Sequence, residues 1–115
     1  METTSPSWKV FASEELVKQQ LDSGVPYLEF LGVPTLSCGI YSLPAGAKDL
    51  QSPHDEDEVY YVISGRARLR VDGEERVVGP GSIHYVAATS EHSFVEIEEA
   101  TTLLVFFASG GPPSD

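Results

Sequence analysis

From Tyr27 onward, runs of β-branched and aromatic residues are broken about every ten residues by Gly, Pro, Asp or Ser turn chemistry, and no helical period survives. That rhythm restricts the chain to an all-β fold. It predicts strands at Tyr27 to Leu31, Leu36 to Leu43, Glu58 to Ile63, Ala67 to Val71, Glu75 to Val78, Ser82 to Val86, Ser93 to Ile97 and Thr102 to Ala108. Tight reversals are expected at Pro44-Ala45-Gly46, Ser64-Gly65, Asp72-Gly73 and Gly79-Pro80-Gly81, where Gly supplies positive φ and Pro fixes φ. Asp72-Gly73 is the clearest, and a two-residue turn there sets Arg70 opposite Glu75. Antiparallel strands this numerous in so short a chain avoid open edges by forming a sandwich or a closed barrel.

Ahead of the strands, Ser13 reads as an N-cap, Glu14 and Glu15 suit the positive end of a helix, and Leu16, Val17 and Leu21 recur near helical spacing until Gly24 and Pro26. One short N-terminal helix follows. Trp8, Val10 and Phe11 are apolar enough to form an outer strand. The tail at 110–115, Gly-Gly-Pro-Pro-Ser-Asp, has nothing to bury and is expected to be disordered.

At 115 residues and 41% apolar, the chain supports one packed core, so a single domain over 1–115 is expected, its β core over about 27–108. Eighteen acidic against seven basic residues give a net charge of −11. A surface of that sign repels phosphate backbones and anionic membranes, which argues against nucleic acid as a partner. No stretch reaches the roughly 18 apolar residues that a spanning helix needs. Cys38 stands alone and the first ten residues lack a secretion pattern, so a reducing cytoplasm is expected.

The densest chemistry lies in Ser52-Pro53-His54-Asp55-Glu56-Asp57-Glu58, directly before an apolar strand. In extended chain His54, Glu56 and Glu58 share a face with Tyr60 and Val62, while Asp55, Asp57 and Val59 take the other. Read blandly, this is an acidic solvated loop. An imidazole and carboxylates turned inward, however, are expensive to desolvate unless a cation neutralises them.

Gly46, His54, Glu58 and Gly65, followed by Gly79-Pro80-Gly81 and His92, resemble the paired motifs of the cupin superfamily over roughly Tyr41 to Phe107. The resemblance implies a small antiparallel jelly-roll barrel with a divalent ion, Fe, Mn, Ni or Zn, held by His54, Glu58 and His92. Two departures stand out. Ser52 occupies the place of the family's first histidine, and Val86 to Glu91 lacks the proline and glycine of the second motif. Glu56 is a candidate fourth ligand, and Glu58 or Glu56 a candidate proton carrier. The family also implies a homodimer and a small oxygenated or carbonyl substrate for dioxygenase, lyase or isomerase chemistry. A non-catalytic small-molecule binder and a structural barrel with a decayed metal site are the alternatives.

Other residues read more simply. His84 alternates with Ile83 and Tyr85, and faces outward if Ile83 faces the interior. Cys38 is a small core residue with no neighbour in sequence to activate its thiol. Arg66, Arg68 and Arg70 share one outer face, with Arg68 the rarer candidate for anchoring an anionic substrate. Tyr41, Tyr60, Phe94, Phe106 and Phe107 are core aromatics, one or two of them expected to line the pocket.

Overall fold

The computed structural model describes residues 7–49 and 55–108; the expectations for His54, Ser52 and the tail at 110–115 lie outside them. One helix, α1 (Ser13–Ser23), precedes six strands: β1 (Tyr27–Val33), β2 (Leu36–Leu43), β3 (Asp57–Val71), β4 (Glu74–Val78), β5 (Ile83–Val86) and β6 (His92–Ala108). All pairings are antiparallel, in the order β1-β2-β6-β3-β4, with β5 also paired to β3. The all-β architecture is as expected, although the sheet does not close into a complete barrel.

One expected reversal and one expected break between strands are absent, and one reason explains both. Ser64-Gly65 does not turn the chain back; β3 runs through it as one long strand, and β6 likewise unites the two strands expected on either side of Glu98 to Thr101. The β3–β6 register slips between Val62 and Ala67, so extra residues are absorbed as bulges that bend both strands together. Gly65, at φ +99°, makes the corner possible. A Cβ there would lie 2.3 Å from the Ala100 carbonyl oxygen and 2.4 Å from Thr101 Cα, so the two backbones cross where only glycine fits.

The remaining turns follow the sequence. Asp72 (φ 48°) and Gly73 (φ 86°) form the two-residue link between β3 and β4, both in the left-handed region that a type I′ turn demands. Arg70 then faces Glu75, with Nη2 2.7 Å from Oε2. Arg66 pairs with Glu98, and Arg68 with Glu75 and Glu96, on the same outer face.

At the N-terminus the details differ. Ala12, not Ser13, occupies the N-cap position and gives no side-chain cap, while Gly24 closes the helix at φ 74° with its N–H donating to the Leu21 carbonyl. The buried face carries Leu16 and Gln20, leaving Leu21 exposed. No strand forms at residues 8–12; Trp8 and Val10 are exposed, and Phe11 sets its ring edge-on to Phe30 at 4.8 Å. Cys38 is buried and unpaired, as expected.

The core lies on the concave face, where Tyr60, Val62, Phe94, Leu103 and Val105 are almost wholly buried. The half of β6 that lacks β2 as a neighbour is covered by the chain after β2. There Gly46 N–H donates to the Ile97 carbonyl at 2.9 Å, and the Phe94 N–H donates to Asp49 Oδ2 at 2.8 Å.

Candidate functional site

Glu58 and His92 meet inside the fold, although they start far apart along the ribbon. His92 pairs with Val71, and Glu58 lies thirteen residues before Val71 on the same strand, a separation of about 43 Å if the strand were straight. The corner at Gly65 folds the β3–β6 ribbon over. His92 Nε2 comes to 3.0 Å from Glu58 Oε2, with both side chains 1% exposed.

Period-two alternation places Glu58 inward with Tyr60 and Val62, as the sequence suggests. Asp57 points out, where its Oδ1 accepts from the Ala88 N–H at 2.8 Å and from the Tyr85 hydroxyl at 3.4 Å. The loop before His92 therefore takes its shape from Asp57 and from Thr89 at φ 66°, in place of the absent proline and glycine. Glu56 precedes the strand and is half-buried. Among the described residues, no third His, Cys, Asp or Glu joins Glu58 and His92 in a metal cluster.

The pair is held from behind. The Tyr60 hydroxyl donates to Glu58 Oε1 at 2.8 Å, and the Tyr60 ring stacks edge-on against Phe94 at 5.5 Å. His92 Nδ1 lies 2.9 Å from the Ser90 carbonyl oxygen. A carbonyl only accepts, so Nδ1 carries a proton, and Nε2 faces the carboxylate. The Glu58 hydrogen bond raises the His92 pKa above its ordinary 6.5 against the opposing effect of burial; Ser90 and the charges of Glu58 and Asp49 add to the rise.

Two further residues enter that sequence reasoning did not single out. Asp49, 8% exposed, accepts from the Tyr41 hydroxyl at 2.8 Å as well as from Phe94 N–H; burial, reinforced by this bond and the Asp49 charge, pushes the Tyr41 phenol pKa up. No local pattern marks it, since Phe94 is 45 residues away. Tyr27 lies across Gly39 of β2, where a Cβ would come within 2.3 Å of its Cζ and hydroxyl. A glycine in the middle of a strand is the signal that points to such a close approach.

His84 contradicts the outward expectation. Ile83 and Tyr85 are 70% and 66% exposed, and His84 turns inward opposite Tyr60 in the register. Burial lowers its pKa, so the ring is neutral at pH 7. It sits in a cleft of about 650 Å³, opened where β4 and β5 part to pair with different halves of β3, with Leu69, Val71 and Arg76 on its walls. Val71 and Leu69 are the cross-strand partners of His92 and Phe94, so the cleft adjoins the Glu58–His92 pair.

A folded antiparallel sheet enclosing a buried carboxylate–imidazole pair defines a jelly-roll protein with its polar site inside. The chain belongs to the cupin family: the cupin domain model matches residues 39–107. An uncharacterised protein of Streptomyces coelicolor, SCO3923, is 42% identical over 87% of this chain and 95% of its own length. Two solved structures share the fold. The cupin domain of Schizosaccharomyces pombe Cnp3 is 16% identical with a TM-score of 0.67, covering 73% of this chain and 64% of that one. The DMSP lyase DddQ of Ruegeria pomeroyi is 19% identical with a TM-score of 0.69, covering 76% of this chain and 48% of that one, so this chain spans less than two thirds of either. No helix among the described residues is long and apolar enough to cross a membrane.

Proposed function

We propose that this chain is a small metal-dependent cupin enzyme in which His54, Glu58 and His92 hold one divalent transition ion, Fe, Mn, Ni or Zn, and the substrate is a small oxygenated or carbonyl compound. One observation carries the reading: with Nδ1 committed to the Ser90 carbonyl, His92 Nε2 aims a lone pair at a carboxylate oxygen 3.0 Å away, and that contact needs a second proton or a cation. The Nδ1 contact is the kind of outer hydrogen bond that fixes a ligating imidazole, and Tyr60 does the same for Glu58. A bound ion would supply Lewis acidity or oxygen activation for oxygenation, lyase or isomerase chemistry. Glu58 or Glu56 would carry the proton. DddQ, which shares the fold, is a DMSP lyase, and that supports the lyase arm of this reading. The same reading places the chain in a reducing cytoplasm, with Cys38 as a thiol, and as a homodimer.

A second reading rests on the same cluster. Both Glu58 oxygens and both His92 nitrogens have protein partners, so the site is also self-consistent as a protonated pair in a non-catalytic binding or structural cupin. Elemental analysis of untagged protein beside a His54→Ala, His92→Ala double variant decides between them. About one equivalent of metal, lost in the variant, is expected. No metal in either, even after reconstitution with Fe(II), Mn(II), Ni(II) and Zn(II), overturns the metalloenzyme and leaves the second reading.

A further inference from the structure

Three buried side-chain atoms lack a hydrogen-bond partner among the described residues: Gln20 Oε1 at the helix, His84 Nε2 in the cleft, and the Tyr27 hydroxyl. The last is the most constructed. Tyr27 pairs with Tyr41 on the edge of the sheet, and its side chain lies on the concave face. Its ring crosses Gly39, whose register partner is Val105, whose own partner in turn is Tyr60. Phe107, the neighbour of Glu58 across β6, braces the ring edge-on at 6.3 Å. Glycine at 39 thus vacates one side-chain position in the row that contains Tyr60, and the Tyr27 phenol fills it.

We propose that the Tyr27 hydroxyl is a ligand-binding donor, giving its hydrogen bond to an uncharged carbonyl or hydroxyl oxygen of a small molecule held on the concave face beside Glu58 and His92. This rests on reading that face as a ligand site. A buried hydroxyl without a partner is unfavourable, and a fold that shapes a glycine to place one gains from it only when something accepts the bond. Burial, with the charges of Glu29, Glu58 and Glu56 nearby, pushes its pKa up to about 12, so the group is a donor and not a base. With no ion on Glu58, those carboxylates also disfavour an anionic oxygen at this spot, so a neutral ligand is the class that fits the hydroxyl.

The test uses the full chain, stripped of metal and, in parallel, loaded with Zn(II). Acetamide, acetone and acetate serve as probes, followed by 13C-labelled tyrosine Cζ and histidine ring resonances. Acetamide or acetone is expected to shift a Cζ resonance that Tyr27→Phe deletes, and to bind that variant roughly three- to tenfold more weakly. Acetate is expected to bind metal-free protein less well than acetamide. Gly39→Ala, which pushes the ring aside, should reproduce the weakening; if it does not fold, Tyr27→Phe carries the test. Without probe, Tyr27→Phe should melt at or above the wild-type temperature, because no bond is lost. A fall of about 4 °C or more would mean a structural partner for the hydroxyl and overturn the proposal. So would equal probe affinity in the two proteins, or no probe binding to wild type in either form. Metal content is measured on the same samples: wild type without metal but with Tyr27-dependent binding refutes the metal site alone, and metal without such binding refutes the Tyr27 role alone.

Discussion

Asp57 accepts the Ala88 backbone N–H at 2.8 Å, fastening the loop that ends in His92 to the strand that begins with Asp57 and presents Glu58 one residue later. One carboxylate faces outward to shape the loop, and its neighbour faces inward to meet the imidazole.

Asp57→Ala should therefore act on His92 without touching it. We expect a stability loss of about 1 kcal/mol, since the bond is exposed, and a drop of roughly tenfold or more in metal affinity as the ring loses its fixed approach. Tyr85→Phe, which removes only the 3.4 Å bond, should leave both unchanged. Urea unfolding and a competitive metal titration read the two effects separately. Equal metal affinity in Asp57→Ala and wild type would refute this role.

Gly65→Ala should be the most damaging single methyl in the chain. Its Cβ would meet backbone at 2.3 and 2.4 Å where nothing flexible can yield, at a φ that disfavours any side chain, so a loss of at least about 3 kcal/mol is expected. Gly73→Ala, at φ +86° but in open space, isolates the dihedral effect and should lose only about 1 kcal/mol. Similar losses in the two variants would show that the crossing of backbones is not what requires glycine.

The two described histidines should titrate on opposite sides of 6.5 in metal-free protein. For His84, burial disfavours the charged ring, so the unfolded chain binds more protons; stability is complete above 6.5 and declines as pH falls below it toward the lowered value. For His92 the sign reverses. The pair with Glu58 favours the charged ring, so that contribution is present below 6.5 and disappears as pH rises through the elevated value. His84→Phe should remove the acid-side decline and His92→Gln the alkaline-side one, in unfolding curves between about pH 5 and 8. Zn(II) should abolish the His92 titration seen by NMR, because proton and ion compete for Nε2. Two rings titrating together near 6.5 would contradict both assignments.

Arg68→Ala should change little. Its guanidinium is shared between Glu75 at 3.6 Å and Glu96 at 3.7 Å on the outer face, a long and partly exposed arrangement contributing no more than about 0.5 kcal/mol. A loss of probe binding in this variant would revive the anchoring role that its outward position argues against.

What the sequence revealed was what neighbours in sequence decide. The Asp72-Gly73 turn and the Arg70–Glu75 contact depend on a few adjacent residues, and both are as expected. The inward placement of Glu58 follows from alternation alone. Ser64-Gly65 misled because a positive-φ glycine serves a reversal and a bulged corner equally, and only the partner strand distinguishes them. The local pattern points His84 outward because apolar Ile83 and Tyr85 suggest the core, whereas β5 turns both of those residues to the outside. Asp49 was invisible, since its meaning comes from Tyr41 and from a backbone N–H at Phe94.

The folded ribbon has one more consequence. Because Glu58 and His92 sit on separate leaves joined at a spine of bulged residues around Gly65, whatever binds both works as a clasp on a book. Parting the leaves would separate Glu58 from His92, so release from the clasp would require that opening. Amide exchange along the spine should slow when the clasp is filled, so occupancy can be read at Thr101 and Leu103, away from the site itself.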